Sequence, residues 1–425
     1  MIIFVVCLLA YLFLLLSTPL LIYPEFFFYP WLISRGAVQY KDFFDDHGFF
    51  TNIFFAPFAH SLPLVSFIFI AFEIIQFGII AHLIRKKVKN SLVYFILLIL
   101  YVLFQFTVVH QQIWYDAIMV FFVVVAWYLF EKENEFFGWI FFAIATMVKP
   151  TVGLFLLPFF IRSKNKKGVT VFFISWIIAV CYFISRGAFS ELWRQLILFN
   201  FVYGKSIYKT FTIGIAYKLL AIIIGGFSVL IFFAVKQRRK NIPLLLAVFI
   251  SLIFFSFGFT KLNFALFVPF FTLLAAHIFA NKKINRYVII VLSLFTLIIV
   301  RDAYKTYMDC RNRQVYITRA VVDEAKQVGT FIKEKKDKKV LVIGNHVELY
   351  YLLNVLPPEF ILLHFPWITK EYPQKLSLNG IQYMIVPKKL GQYESIDTRT
   401  ENELQSNYLL SGQTATYIIW QYNKK

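Results

Sequence analysis

Apolar runs of bilayer-crossing length recur through the first 300 residues, and they constrain this chain more than any other feature in it. A crossing helix needs about 20 mostly apolar residues. Inside hydrocarbon every backbone N–H and C=O must be bonded within the spanning element, so such runs read as helices. Of 425 residues, 60% are hydrophobic and only 16% charged, which excludes a soluble globule. Spans are expected near 2–22, 62–84, 91–109, 115–130, 136–148, 151–161, 169–185, 212–234, 243–258, 264–280 and 287–300. The first run has no basic segment before it and no small-residue cleavage site after it, so it reads as an uncleaved span. Cys7, Cys181 and Cys310 give neither a disulfide framework nor a metal-ligand spacing.

The formal net charge of +20 is a topology signal here rather than a nucleic-acid footprint. Alternate loops read RKKVKN (85–90), EKENE (131–135), RSKNKK (162–167), VKQRRK (235–240) and NKKINR (281–286), and together hold sixteen Lys/Arg. The opposite set holds eight: Arg35, Lys41, Lys149, Arg186, Arg194, Lys205, Lys209 and Lys261. The basic set belongs in the cytoplasm. The N-terminus is then inside, and the loops after spans 1, 3, 5, 7 and 9 are outside. Runs 136–148 and 151–161 are too short to cross singly at about 1.5 Å per residue. They fit a hairpin with Lys149-Pro150 at its tip, where Pro150 interrupts the helix.

The fold class read from these patterns is a polytopic α-helical membrane protein of about eleven membrane helices, the short hairpin included. A small C-terminal α/β domain follows on the extracytoplasmic side. The domain division is 1–301, membrane, and 302–425, extracytoplasmic. Past residue 301 charge rises and apolar runs shorten to strand length. Val322–Lys336 reads as an amphipathic helix and Lys339–Ile343 as a buried strand. Val347–Asn354 reads as a short helix, followed by strands near Phe360–His364, Ile381–Pro387 and Thr416–Gln421.

The chemistry concentrates in the loop after the first span, RGAVQYKDFFDDHGFF (35–50). Residues 1–300 contain ten acids, and six fall on the outer side: Glu25, Asp42, Asp45, Asp46, Asp116 and Glu191. Acids at a membrane edge are costly and mark function. Asp42 sits among aromatics that would hold the loop at the interface; desolvation there would make it a better base, while Lys41 and Arg35 oppose that shift. Glu25 reads as a solvated loop acid. Asp45, Asp46 and His47 could orient an acceptor, move a proton or hold a divalent cation. The outer cations Lys149, Lys261 and Arg194 suit an anionic headgroup such as a phosphate. Taken one at a time, each of these cations fits a side chain reaching for lipid headgroups.

GAVQYKDFFDDHG resembles the first outer loop of the GT-C class of membrane glycosyltransferases, with its "Gly…Tyr-Arg-Asp-Phe…His-Gly-Pro" pattern. These enzymes use polyprenyl-phosphate sugars and include protein O-mannosyltransferases and the aminoarabinose transferase of lipid A. Lys41 replaces the usual Arg, and Phe49 the usual Pro. MVKPTVGLFLLP resembles a second segment of the class, and NHVELYYLLNVLPP its soluble tail. The resemblance implies an inverting glycosyltransferase in the plasma membrane, with Asp42 as general base. It implies Lys149, with Lys261 and Arg194, at the donor phosphate. Asp116 falls where relatives carry a second outer acid, and Asp45, Asp46, His47 and Asp116 would orient the acceptor or hold Mg or Mn. Partners would be the polyprenyl-linked sugar, the bilayer and a glycan, lipid or protein acceptor. The residues also leave open a transporter or flippase of lipid-linked sugars, a glycan ligase or polymerase, and an assembly factor. The lack of internal repeats weighs against a transporter.

Overall fold

The computed structural model describes residues 1–199, 242–257, 264–279, 286–313, 315, 317–332, 339–344, 346–358, 380–389 and 398–423. The expected span 212–234, the strand near Phe360–His364 and the candidate Lys261 lie outside these residues. The chain divides into two compact units. The first comprises Met1–Leu21, Ser66–Val180 and Gly204–Arg313; the second comprises Ile22–Val65, Cys181–Tyr203 and Gln314–Lys425.

The first unit is helical. Helix α1 (Ile2–Ser17) precedes the second unit's short helices α2 (Phe28–Ser34) and α3 (Phe50–Phe55). Then come α4 (Leu62–Lys87), α5 (Ser91–Val109), α6 (Tyr115–Glu131), α7 (Glu135–Val148), α8 (Leu156–Arg162) and α9 (Val169–Ser185). Among the described residues three helices are long and apolar enough to cross a membrane: Leu62–Lys87, Ser91–Val109 and Lys166–Ser185. Shorter apolar helices include Ile2–Ser17, Glu135–Val148, Pro150–Arg162 and Phe267–Phe279. Arg286–Asn312 runs on a dozen residues past the expected end of the last span, because no proline or glycine stops it after the charge at Arg301.

The expected hairpin is present. Helix α7 stops at Val148 because Pro150 cannot continue it. Lys149 is extended, and Pro150–Phe155 starts the return as a tight 3-10 turn leading into α8. Phe142 meets Phe159 with ring centroids 4.6 Å apart, so the two arms lie side by side. Arg162 pairs with Glu131 at 2.6 Å, and Glu135 accepts from Ser163 Oγ and from the backbone of Lys164 and Asn165. The loops EKENE and RSKNKK therefore meet at one end of the hairpin, away from Lys149. The charge count places them on one side as well.

Glu73 lies in the middle of α4 and is buried. Its Oε2 accepts from Tyr11 Oη at 2.5 Å and from Gln105 Nε2 at 3.3 Å, which ties α1, α4 and α5 together. This mid-span acid is bonded into helix packing.

The second unit is built around a four-stranded mixed sheet. Val340–Val342 pairs parallel with Tyr383–Pro387; Tyr417–Tyr422 and then Tyr408–Gln413 add on antiparallel. Helix Arg319–Phe331 begins three residues before its expected start, capped by the Thr318 hydroxyl on the Val321 amide. The sequence expectation lacked the strand Tyr408–Gln413 and the helix Thr398–Asn407 before it. The unit's core is shared between the sheet and the loop after the first helix. Phe27, Phe28, Tyr29, Trp31, Leu32 and Phe43 join Tyr350, Leu353, Ile385 and Ile419 in one buried cluster. Phe28 stacks on Tyr350 at 5.7 Å, and the Arg35 guanidinium lies over Trp31 and donates to Asn354 Oδ1 at 2.6 Å.

Candidate functional site

The loop from Ile22 to Val65 is held by its aromatics. Pro24 starts a 3-10 turn over Pro24–Phe26, and α2 follows with Phe28, Tyr29, Trp31 and Leu32 buried. Gly36, at φ +95°, reverses the chain after α2 in a conformation that a side chain would strain. Tyr40 adopts φ +70° without being glycine. Such a residue costs of order 1–3 kcal/mol and persists only where its surroundings hold it. Here they do: its ring is fully buried, and its hydroxyl donates to the His47 carbonyl at 2.7 Å.

Asp45 is the centre of this turn and is 2% exposed. Its Oδ1 accepts from the His47 amide at 2.9 Å and faces His47 Nδ1 at 3.2 Å. Its Oδ2 accepts from Gln39 Nε2 at 2.9 Å and Asn52 Nδ2 at 2.7 Å. Burial raises its carboxyl above the usual aspartate range, and the bonds from His47 counter that. His47 Nδ1 also lies 3.1 Å from Asp46 Oδ1. Burial alone would lower the imidazole, but Asp46 and Asp45 outweigh it and hold His47 up at about 10.

Glu25 belongs to the same cluster, which its reading as a solvated acid does not anticipate. Its Oε2 is enclosed with no hydrogen-bond partner among the described residues. Burial pushes its carboxyl up to about 7; its own backbone amide and His47 oppose the rise, while Asp45 and Asp46 add to it. An enclosed carboxylate with an open lone pair, raised toward neutrality, is a candidate base wherever an acceptor proton comes within hydrogen-bond reach. Neither the enclosure nor the neighbours can be read from the tripeptide Pro24-Glu25-Phe26.

Asp42 is exposed, and its Oδ2 accepts from the Val38 amide at 2.7 Å, closing the turn. The aromatics beside it in sequence, Phe43 and Phe44, turn inward, against Tyr29 and Phe199.

Asp45, Asp46 and His47 place one ligand atom each within 4.8 Å of one another, the spacing of a cation site. Their bonding does not fit one. A carboxylate offers about four lone-pair sites, and all four on Asp45 face donors. The arrangement is that of a charged imidazole between two acids.

In the other unit, Asp116 and Lys149 come together as an ion pair. Lys149 Nζ donates to both carboxylate oxygens of Asp116, at 2.7 and 2.8 Å. Asp116 stands in the first turn of α6, where the helix dipole favours an acid, and its side chain is 5% exposed. Lys149 caps the carboxyl end of α7. Arg194 lies half-buried on a π-helical stretch, Trp193–Phe199, in the unit that holds Asp45.

No family model and no curated protein sequence matches the chain. Solved structures do. ArnT from Cupriavidus metallidurans bound to undecaprenyl phosphate aligns over 100% of this chain and 98% of its own, with TM-score 0.60 and 11% identity. The same enzyme in the apo state gives TM-score 0.59 at 11% identity, covering 99% and 97%. The oligosaccharyltransferase of Archaeoglobus fulgidus, tethered to an acceptor peptide, gives 0.56 at 9% identity, covering 100% of this chain and 74% of that one. From end to end, the chain has the fold of these GT-C membrane glycosyltransferases.

Proposed function

We propose that this chain is a membrane glycosyltransferase. It moves a sugar from a polyprenyl-phosphate donor to an acceptor hydroxyl, with inversion at the anomeric carbon. The observation that carries this reading is the charged cluster of Glu25, Asp45, Asp46 and His47 around the buried Asp45, on a fold shared with ArnT bound to undecaprenyl phosphate. In the proposed layout eleven helices cross or enter the cell membrane, and residues 302–425 form an α/β domain outside it.

Glu25 takes the proton from the acceptor hydroxyl as its oxygen bonds to the anomeric carbon. The bond from that carbon to the phosphate oxygen breaks, and the polyprenyl phosphate leaves as an anion that needs no proton. A positioned base of matched pKa is worth about 10²–10⁴ in rate. His47, kept charged between Asp45 and Asp46, stabilises the ionised form of Glu25. Lys149, held ready by Asp116, is the proposed contact for the departing phosphate; its charge serves there as a preorganised electrostatic group. Arg194 and Lys261 are further phosphate contacts in this proposal. No step in this proposal passes through a metal.

Asp42 is the second reading for the base, favoured by its exposure to an incoming acceptor. Transfer of radiolabelled hexose from a polyprenyl-phosphate donor separates the two. Glu25→Gln should lose about 10²-fold or more in kcat while Asp42→Asn keeps most of it; the reverse pattern assigns the base to Asp42. Movement of the lipid across the bilayer with no sugar transfer by any variant would replace the enzyme reading with a flippase.

A further inference from the structure

Gln195 is a side chain that sequence reading gives no reason to notice. It is fully buried, and it sits on the π-helical stretch Trp193–Phe199. A π-helical turn carries an extra residue and recurs at functional sites. Here it brings Leu196 and Phe199 into the buried face beside Gln195 while Trp193 and Leu198 remain exposed. The Phe199 ring meets Phe44 edge-on at 5.0 Å, which fixes the stretch against the catalytic loop.

The Gln195 amide bridges both ends of the turn that carries the charged cluster. Its Oε1 accepts from the Asp45 backbone amide at 2.9 Å, and its Nε2 donates to the Tyr40 carbonyl at 2.7 Å. Nε2 also faces Glu191 Oε2 at 3.3 Å, one helical turn away. Tyr40 and Asp45 are five positions apart, and Tyr40 is the residue at φ +70°. The side-chain amide therefore does the work of a missing peptide group, accepting at one end and donating at the other. A buried backbone N–H or C=O left unpaired costs about 1–3 kcal/mol.

We infer that Gln195 is a positioning residue for transfer: it fixes the 40–45 turn so that Asp45 holds His47 beside Glu25. The inference rests on the glycosyltransferase reading and adds a residue to it. Only a side chain with both a donor and an acceptor at this reach closes the turn. Glutamate keeps the bond from the Asp45 amide but places an acceptor against the Tyr40 carbonyl. Leucine keeps the volume and loses both bonds.

Two measurements on the full-length protein in lipid test this. The first is amide hydrogen exchange over residues 40–47, which needs no activity. Gln195→Leu should raise exchange there by at least about tenfold, while Ser190→Ala, an exposed neighbour, leaves it unchanged. Unchanged exchange in Gln195→Leu would overturn the inference. The second is steady-state transfer from a polyprenyl-phosphate hexose. Misplacement by about 1 Å costs on the order of 10²-fold, so kcat should fall about 10- to 100-fold in Gln195→Leu with KM for the donor within about twofold. In Gln195→Glu the ratio of variant to wild-type kcat should rise as pH falls, because the protonated carboxyl regains the donor for Tyr40. A wild-type enzyme that transfers sugar, with both variants keeping its kcat, would overturn the role of Gln195 and leave the function standing. Loss of transfer in the wild type itself would overturn the function, and the catalytic role of Gln195 with it.

Discussion

The role proposed for Glu25 rests on the surroundings that the fold gives an ordinary residue type. Burial pushes its carboxyl up to about 7, into the range where a base can titrate near neutrality. Transfer should therefore rise with pH through a midpoint of about 7, and Glu25→Gln should abolish that limb. The same shift has a sign for stability. A raised carboxyl binds its proton more tightly in the folded state, so its contribution is full below the unfolded value near 4.5 and is lost as pH rises through about 7. Glu25→Gln should accordingly melt higher than wild type above pH 7 while being inactive; a variant that melts lower there contradicts the assignment. For the Asp116–Lys149 pair, Lys149→Met strands a buried carboxylate and should cost about 3–5 kcal/mol in detergent melts. Asp116→Leu combined with Lys149→Met should recover most of that loss and still fail in transfer. Asp116, Lys149, Asp42, Asp45 and His47 were legible in the sequence because charge stands out in an apolar chain. Glu25 and Gln195 were not, since what distinguishes them is enclosure by residues that are distant in the chain or bonded to it only after folding.

At the scale of elements, the apolar runs fixed the helices closely. Helices α4 to α7 and α9 begin within a residue of the expected positions, since hydropathy punctuates the chain there; α8 begins five residues late, at Leu156, because Pro150–Phe155 forms a 3-10 turn first. The hairpin Tyr408–Tyr422 was half-legible: YIIWQ reads as a strand, but Tyr408–Gln413 alternates poorly and its register shifts between Leu410 and Gly412. The sharing of one core by the loop aromatics and the sheet had no sequence signal, because Phe27 and Phe28 look like lipid-facing residues. That shared core can be tested. Phe28 is fully buried against Tyr350, so Phe28→Ala should cost about 3–5 kcal/mol. It should also raise proteolysis within residues 317–332, whose Ala325 and Val328 belong to the same cluster.

For the whole molecule, the fold shared with ArnT and the archaeal oligosaccharyltransferase agrees with the helical membrane protein expected from hydropathy. The proposed sidedness, with the basic loops inside and the Lys149 end of the hairpin outside, can be tested by labelling. In intact cells, and in a background with Cys181 replaced, an impermeant maleimide should leave Glu133→Cys unlabelled and modify Gly187→Cys. The central claim concerns chemistry, and one assay addresses it most directly: transfer of radiolabelled hexose from a polyprenyl-phosphate donor to an acceptor hydroxyl by purified protein in lipid, wild type against Glu25→Gln. Label should move to the acceptor with the wild type and fall by about 10²-fold or more with the variant. Equal transfer by both proteins would remove Glu25 as the base, and no transfer from any polyprenyl-phosphate sugar by the wild type would contradict the account.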